Sequence, residues 1–168
     1  MKKNLFIFFG IFLSLSASRF IPHPPNFTSL IALSFYVPAV LGFSYIPALI
    51  ISFVITDIFI GFHTTVLFTW GSVLIISILA SKYFFNSIFS RLSGALIGAC
   101  IFFIITNFGV WLTGNIYEYT FNGFIKCYIL AIPFFTYSLL STILFSIIFE
   151  CILKLYQASS KIFKMSKS

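Results

Sequence analysis

The stretch Tyr45-Ile-Pro-Ala-Leu-Ile-Ile-Ser-Phe-Val-Ile-Thr-Asp-Ile-Phe-Ile-Gly-Phe62 decides how this chain is read. Its apolar run is long enough to cross a hydrocarbon core about 30 Å thick, yet it holds a carboxylate, Asp57, in its interior. An acid at that depth costs about 2.5–3.5 kcal/mol on insertion scales, so it calls for a partner, water or a task. Asp57 is one of only three acidic residues in 168. With its span running outward from residue 46, eleven residues or roughly 17 Å of helix place it in the outer half of the membrane. Gly61, one turn further on, is expected to leave room for a close neighbour.

The rest of the chain repeats the apolar theme. Hydrophobic residues make up 60% and charged residues 8%, against roughly a quarter charged in soluble domains. Apolar segments at about 4–20, 27–43, 46–62, 66–83, 92–112 and 127–156 predict an all-α membrane protein, a compact bundle of six transmembrane helices. Five remain if the first is a cleaved signal, as Met1-Lys2-Lys3 and the small residues Ser16-Ala17-Ser18 would allow. Residues 1–157 form one membrane domain, and 158–168 a basic cytoplasmic tail. Pro38, Pro47 and Pro133 are expected to mark kinks, and Pro133 to interrupt the last segment.

Charge fixes the expected orientation. Lys2, Lys3, Lys82, Arg91, Lys154, Lys161, Lys164 and Lys167, eight of the ten basic residues, fall on one side if both termini are cytoplasmic. The expected location is a bacterial inner membrane, crossed several times. The net charge of +7 then needs anionic membrane lipid as its partner and no nucleic acid. Glu150 and Lys154, four apart at the cytoplasmic end, read as a snorkelling pair. The 25 phenylalanines read as lipid-facing bulk. Three cysteines without ligand spacing predict neither disulfide nor metal centre, and no cofactor is expected.

The distinctive side chains gather toward the outer side, while the inner half looks plain. The first loop, Arg19-Phe20-Ile21-Pro22-His23-Pro24-Pro25-Asn26-Phe27-Thr28, is stiffened by three prolines. Arg19 is the natural counter-ion for Asp57. Asn107 and Trp111 share a helix face at the end of the fifth span, and His63 and Tyr117 lie in outer loops. Apolar walls with a few placed polar groups describe a solute site: Arg19, His23 and Asn26 as its lid, Asp57, Asn107 and Trp111 as floor and wall, His63 and Tyr117 at the rim.

The loop Pro22-His23-Pro24-Pro25-Asn26-Phe27-Thr28, the run Thr56-Asp57-Ile58-Phe59-Ile60-Gly61-Phe62-His63, Thr106-Asn107-Phe108-Gly109-Val110-Trp111-Leu112, and Cys127-Tyr128 before Ala131-Ile132-Pro133-Phe134-Phe135 resemble an uncharacterised bacterial membrane family labelled as transport proteins. That family is in turn similar to the substrate-binding S components of energy-coupling factor vitamin transporters. The resemblance implies an S-component-like six-helix bundle with a pocket near the outer face, covered by the first loop. It also implies a transmembrane coupling subunit and ATPases as partners, with Gly10, Ser14 and Ser18 on the first helix as the docking ridge. Tyr137-Ser138 and Ser141-Thr142 depart from that family's pattern, so this stretch is left out of the expected site.

The expected function is capture of a small, vitamin-like solute for uptake, without enzymatic activity. The alternatives are an accessory or scaffold subunit, or an intramembrane enzyme acting on lipid. No phosphate-binding Gly-rich loop ending in Lys-Ser/Thr is present, so ATP hydrolysis would belong to a partner.

Overall fold

The computed structural model describes residues 2–83 and 87–165. Lys167 of the expected tail lies outside these residues, as do residues 84–86. The chain forms α1 (Lys2–Phe20), α2 (Leu30–Tyr36), α3 (Ile46–Ile60), α4 (Val66–Lys82), α5 (Ile88–Thr113) and α6 (Phe121–Met165), with no strand among the described residues. A π-helical turn, Val37–Leu41, and a 3-10 turn, Phe43–Tyr45, join α2 to α3. Phe43–Ile60, Ile88–Thr113 and Phe121–Ser159 are long and apolar enough to cross a membrane. Asn4–Phe20, Leu30–Leu41 and Val66–Lys82 are apolar but shorter.

The prolines act differently from one another. Pro47 sits in the first turn of α3, where its missing N–H has no partner to lose, so it starts the helix and does not kink it. Pro133 stands inside an unbroken α6 with its ring exposed; the last segment is one continuous helix. Pro38 has the largest effect. Its absent N–H leaves the Ser34 carbonyl without the usual i+4 donor, α2 widens into the π turn, and Ser77 Oγ of α4 donates to that carbonyl at 3.0 Å. A proline in one helix thus creates a hydrogen bond to another.

The helices pack through small polar side chains. Ser34, Ser52, Ser72, Ser138 and Thr142 are buried, and each returns its hydroxyl to a carbonyl of its own helix. That satisfies the hydroxyl while letting neighbouring backbones approach. α1 packs chiefly against α3, α5 against α4 and α6, and α2 fits between α4, α5 and α6. One apolar cluster joins Ile11 and Leu15 of α1 to Leu33, Leu49, Phe53 and Val73. A second joins Phe35 and Tyr36 to Ile76, Ala80 and Ala95.

Gly109 marks the tightest approach, since a Cβ there would lie 2.4 Å from Cγ and 2.8 Å from Cβ of Phe68. Phe68 cannot clear that space by rotating its ring alone, because its Cβ is also too close. Gly109→Ala is therefore expected to cost about 1–3 kcal/mol, read as a lowered unfolding midpoint in detergent micelles. Gly61 serves another purpose than the one expected from sequence. A Cβ there would meet nothing within 4 Å, but its φ is +104°. The glycine ends α3 by its backbone conformation, with its N–H on the Asp57 carbonyl at 2.8 Å.

Candidate functional site

Asp57 is 1% exposed and meets two partners. Arg19 Nη2 lies 2.6 Å from its Oδ1, and Trp70 Nε1 donates to Oδ2 at 2.6 Å. The local reason is electrostatic. Asp57 stands in the last turn of α3, where the helix dipole disfavours an anion, whereas Arg19 stands in the last turn of α1, where it favours a cation. The pair offsets the first effect with the second. Arg19 also donates to Thr56 Oγ1 and lies 4.8 Å from the centre of the Phe53 ring. The counter-ion expected from sequence is present, while Trp70, which binds the other carboxylate oxygen, was not singled out there.

Two adjoining cavities lie beside this cluster. The larger, about 470 Å³, is lined by Asn26, His63, Asn107 and Tyr117 of the expected site, with Thr65, Thr69, Thr106 and Ser138. The smaller, about 260 Å³, is lined by Arg19, His23, Asn26 and His63, with Thr28 and Thr69. Six of the eight expected residues are thereby brought together. Asp57 and Trp111 line neither cavity. Trp111 instead braces the α5–α6 connection: its Nε1 donates to the Glu118 carbonyl at 3.1 Å and its ring meets Tyr119 and Phe124.

The remaining polar groups are held in place locally. His63 Nδ1 and Thr65 Oγ1 share a hydrogen bond of 2.8 Å, and His23 Nδ1 donates to the Pro24 carbonyl at 2.7 Å. Asn107 Nδ2 donates to the Phe103 carbonyl at 2.8 Å, which fixes the amide plane. Phe102, Phe103, Phe134 and Phe135 supply aromatic walls to the larger cavity, with the Phe103 and Phe135 rings centred 4.5 Å apart. Treating every phenylalanine as lipid-facing bulk missed these four. Leaving out the Tyr137–Thr142 stretch likewise missed Ser138, which is buried against the cavity. The hydroxyls of Thr65, Thr69 and Thr106 carry no sequence signal, because threonine is ordinary in apolar helices.

The first loop reaches α6 well away from the start of that helix. Ser141 Oγ donates to the Asn26 carbonyl at 3.5 Å, and Ser141 stands twenty residues, about 30 Å of helix, from Phe121 at the start of α6. Asn26, with φ of 62°, turns the chain there and borders both cavities.

The opposite end of the bundle, expected to be plain, carries a second ion pair. Arg91 Nε and Nη2 donate to Glu150 Oε1 and Oε2 at 2.5 and 2.7 Å, and Tyr36 Oη donates to Oε1 at 3.0 Å. Glu150 is 5% exposed, so it does not snorkel; its carboxylate turns inward to Arg91. Of the expected docking ridge, Gly10 and Ser14 line an open apolar groove of about 300 Å³ with α2 and α6. Ser18 instead accepts from the Ser29 backbone N–H at 3.1 Å and bonds the Ser29 hydroxyl at 2.8 Å. No group of three or more metal-ligating side chains occurs among the described residues.

The sequence profile of a family of unknown function (DUF6580) matches residues 1–164. No curated protein and no solved structure matches the chain.

Proposed function

Taking as premise that this chain belongs to the DUF6580 family of unknown function, we propose that it is a membrane transport subunit that captures a small, vitamin-like solute for uptake. The carrying observation is the pair of adjoining cavities whose linings converge on Asn26, His63 and Thr69. A site of a few hundred Å³ with aromatic walls and a handful of oriented polar groups suits a small organic molecule.

In this reading all six helices cross the inner membrane of a bacterium and the cavities belong to its outer half. The basic residues at the α4–α5 connection and beyond Glu150 then face the cytoplasm with both termini. The chain works in the manner of an S component, with a transmembrane coupling subunit and ATPases supplying energy. The groove at Gly10 and Ser14 is the surface offered to that subunit. The closed hydrogen bonding around Asp57 favours a bracing role for this residue, with solute contacts made by Asn107, His63, Tyr117 and Asn26.

Orientation is tested by single cysteines in a background where Cys100, Cys127 and Cys151 are replaced by serine. Asn115→Cys is expected to react with a membrane-impermeant maleimide in intact cells, and a cysteine appended after Ser168 only after lysis; the reverse pattern overturns the topology. Capture is tested by native mass spectrometry of the full chain purified from rich medium into nanodiscs. Wild type is expected to carry a small-molecule adduct that Asn107→Leu loses by at least about tenfold, since an unpaired buried polar contact discriminates strongly. A wild type without any adduct would falsify the capture reading.

A further inference from the structure

We infer that the solute taken by these cavities is uncharged and flat, a neutral aromatic or heteroaromatic ring system with a hydrogen-bonding edge; this rests on the capture reading above. Charge supplies the first half of the argument. Among the described residues lining both cavities there is no aspartate, glutamate or lysine; the one arginine is Arg19, and the two imidazoles, His23 and His63, have their Nδ1 atoms engaged by the Pro24 carbonyl and by Thr65 Oγ1. The Arg19 guanidinium is held by Asp57 Oδ1 at 2.6 Å and by Thr56, so its charge is already matched inside the protein. A cationic solute would find no carboxylate to offset its desolvation, and an anionic one would have to compete with Asp57 for Arg19. Either charge carried into a site of this kind without a partner is costly.

Shape and hydrogen bonding supply the second half. The larger cavity sets the rings of Phe102, Phe103, Phe134 and Phe135 around its volume, and aromatic faces favour offset or edge-on contact with a flat π system. Besides His63 and the Thr65 hydroxyl bonded to it, its polar complement is made of uncharged groups: the hydroxyls of Thr69, Thr106 and Ser138, whose protons go to carbonyls of their own helices and which keep lone pairs to accept, and the Tyr117 hydroxyl and the amides of Asn26 and Asn107, which can donate as well as accept. Such a lining recognises ring nitrogens, ring carbonyls and exocyclic amines along one molecular edge.

The test uses the full chain in nanodiscs, incubated with the fraction of yeast extract below about 1 kDa, washed, and extracted into organic solvent. Retained compounds are sorted by charge at neutral pH on ion exchangers and by ultraviolet absorbance. Compounds enriched at least about tenfold on wild type over both Asn107→Leu and Ser138→Val are expected to pass both exchangers and to absorb above 250 nm. Enrichment of compounds held by either exchanger, or of neutral compounds without a ring chromophore, overturns this inference and leaves capture standing. Retention that is absent, or equal on wild type and both variants, overturns capture itself.

Discussion

Asp57→Ala is expected to destabilise the protein by about 3–5 kcal/mol, because removing one partner of a buried ion pair leaves the other charge uncompensated. Arg19 would lose its counter-charge while its side chain remains 13% exposed, and the Trp70 indole N–H would lose its acceptor. The measurement is reversible unfolding in mixed detergent micelles. Arg19→Ala should cost a similar amount for the mirror reason. The double variant Arg19→Met, Asp57→Leu removes both charges together and is expected to recover most of the loss, as well-packed apolar replacements of buried pairs often do. A single-variant cost below about 1 kcal/mol would mean that water reaches the pair and screens it. This result also separates two roles that the sequence left together. A solute-contacting carboxylate would lose binding with its fold intact, whereas a bracing carboxylate loses the fold first.

Much of this arrangement is legible in the chain before any coordinates. Apolar run lengths located six helices, because continuous hydrophobicity needs no periodicity to be recognised. Arg19 was legible as the partner of Asp57 because a costly acid and an isolated base on the same side of an apolar chain have few other partners. Trp70 was not, since an indole in an apolar helix gives no sign of where its N–H points. Glu150 was misjudged for a related reason. Its spacing from Lys154 satisfied a local rule, and the bond to Arg91, 59 positions away, depends on how α5 and α6 rotate against each other. In helices that are apolar on all sides no hydrophobic stripe reports that rotation. The cavity hydroxyls were hidden by the same loss of signal. The π turn was half legible: Pro38 announces a broken ladder, but only the fold shows that Ser77 completes it.

Glu150→Ala is expected to cost about 3–5 kcal/mol by the same unfolding measurement, although its surroundings differ. Arg91 holds both carboxylate oxygens through two nitrogens, a geometry that lysine cannot reproduce, so Arg91→Lys should fail to preserve stability. Tyr36→Phe removes one neutral donor to the carboxylate and should cost about 1.5–3 kcal/mol, the range for a hydrogen bond to a charged group. The two ion-pair clusters divide the six helices between them. Arg19, Asp57 and Trp70 tie α1, α3 and α4, while Tyr36, Arg91 and Glu150 tie α2, α5 and α6. They share no residue and no helix. Independent sites add to within about 0.3–0.5 kcal/mol, so the double variant Asp57→Ala, Glu150→Ala should lose the sum of the two single losses, with Tyr36→Phe, Asp57→Ala as a milder pair where that sum exceeds the total stability. A coupling of about 1 kcal/mol or more would show that the two clusters interact energetically through the packing between them. Additivity would show that the two clusters brace their helices without energetic coupling, although the cavities lie between residues of both groups.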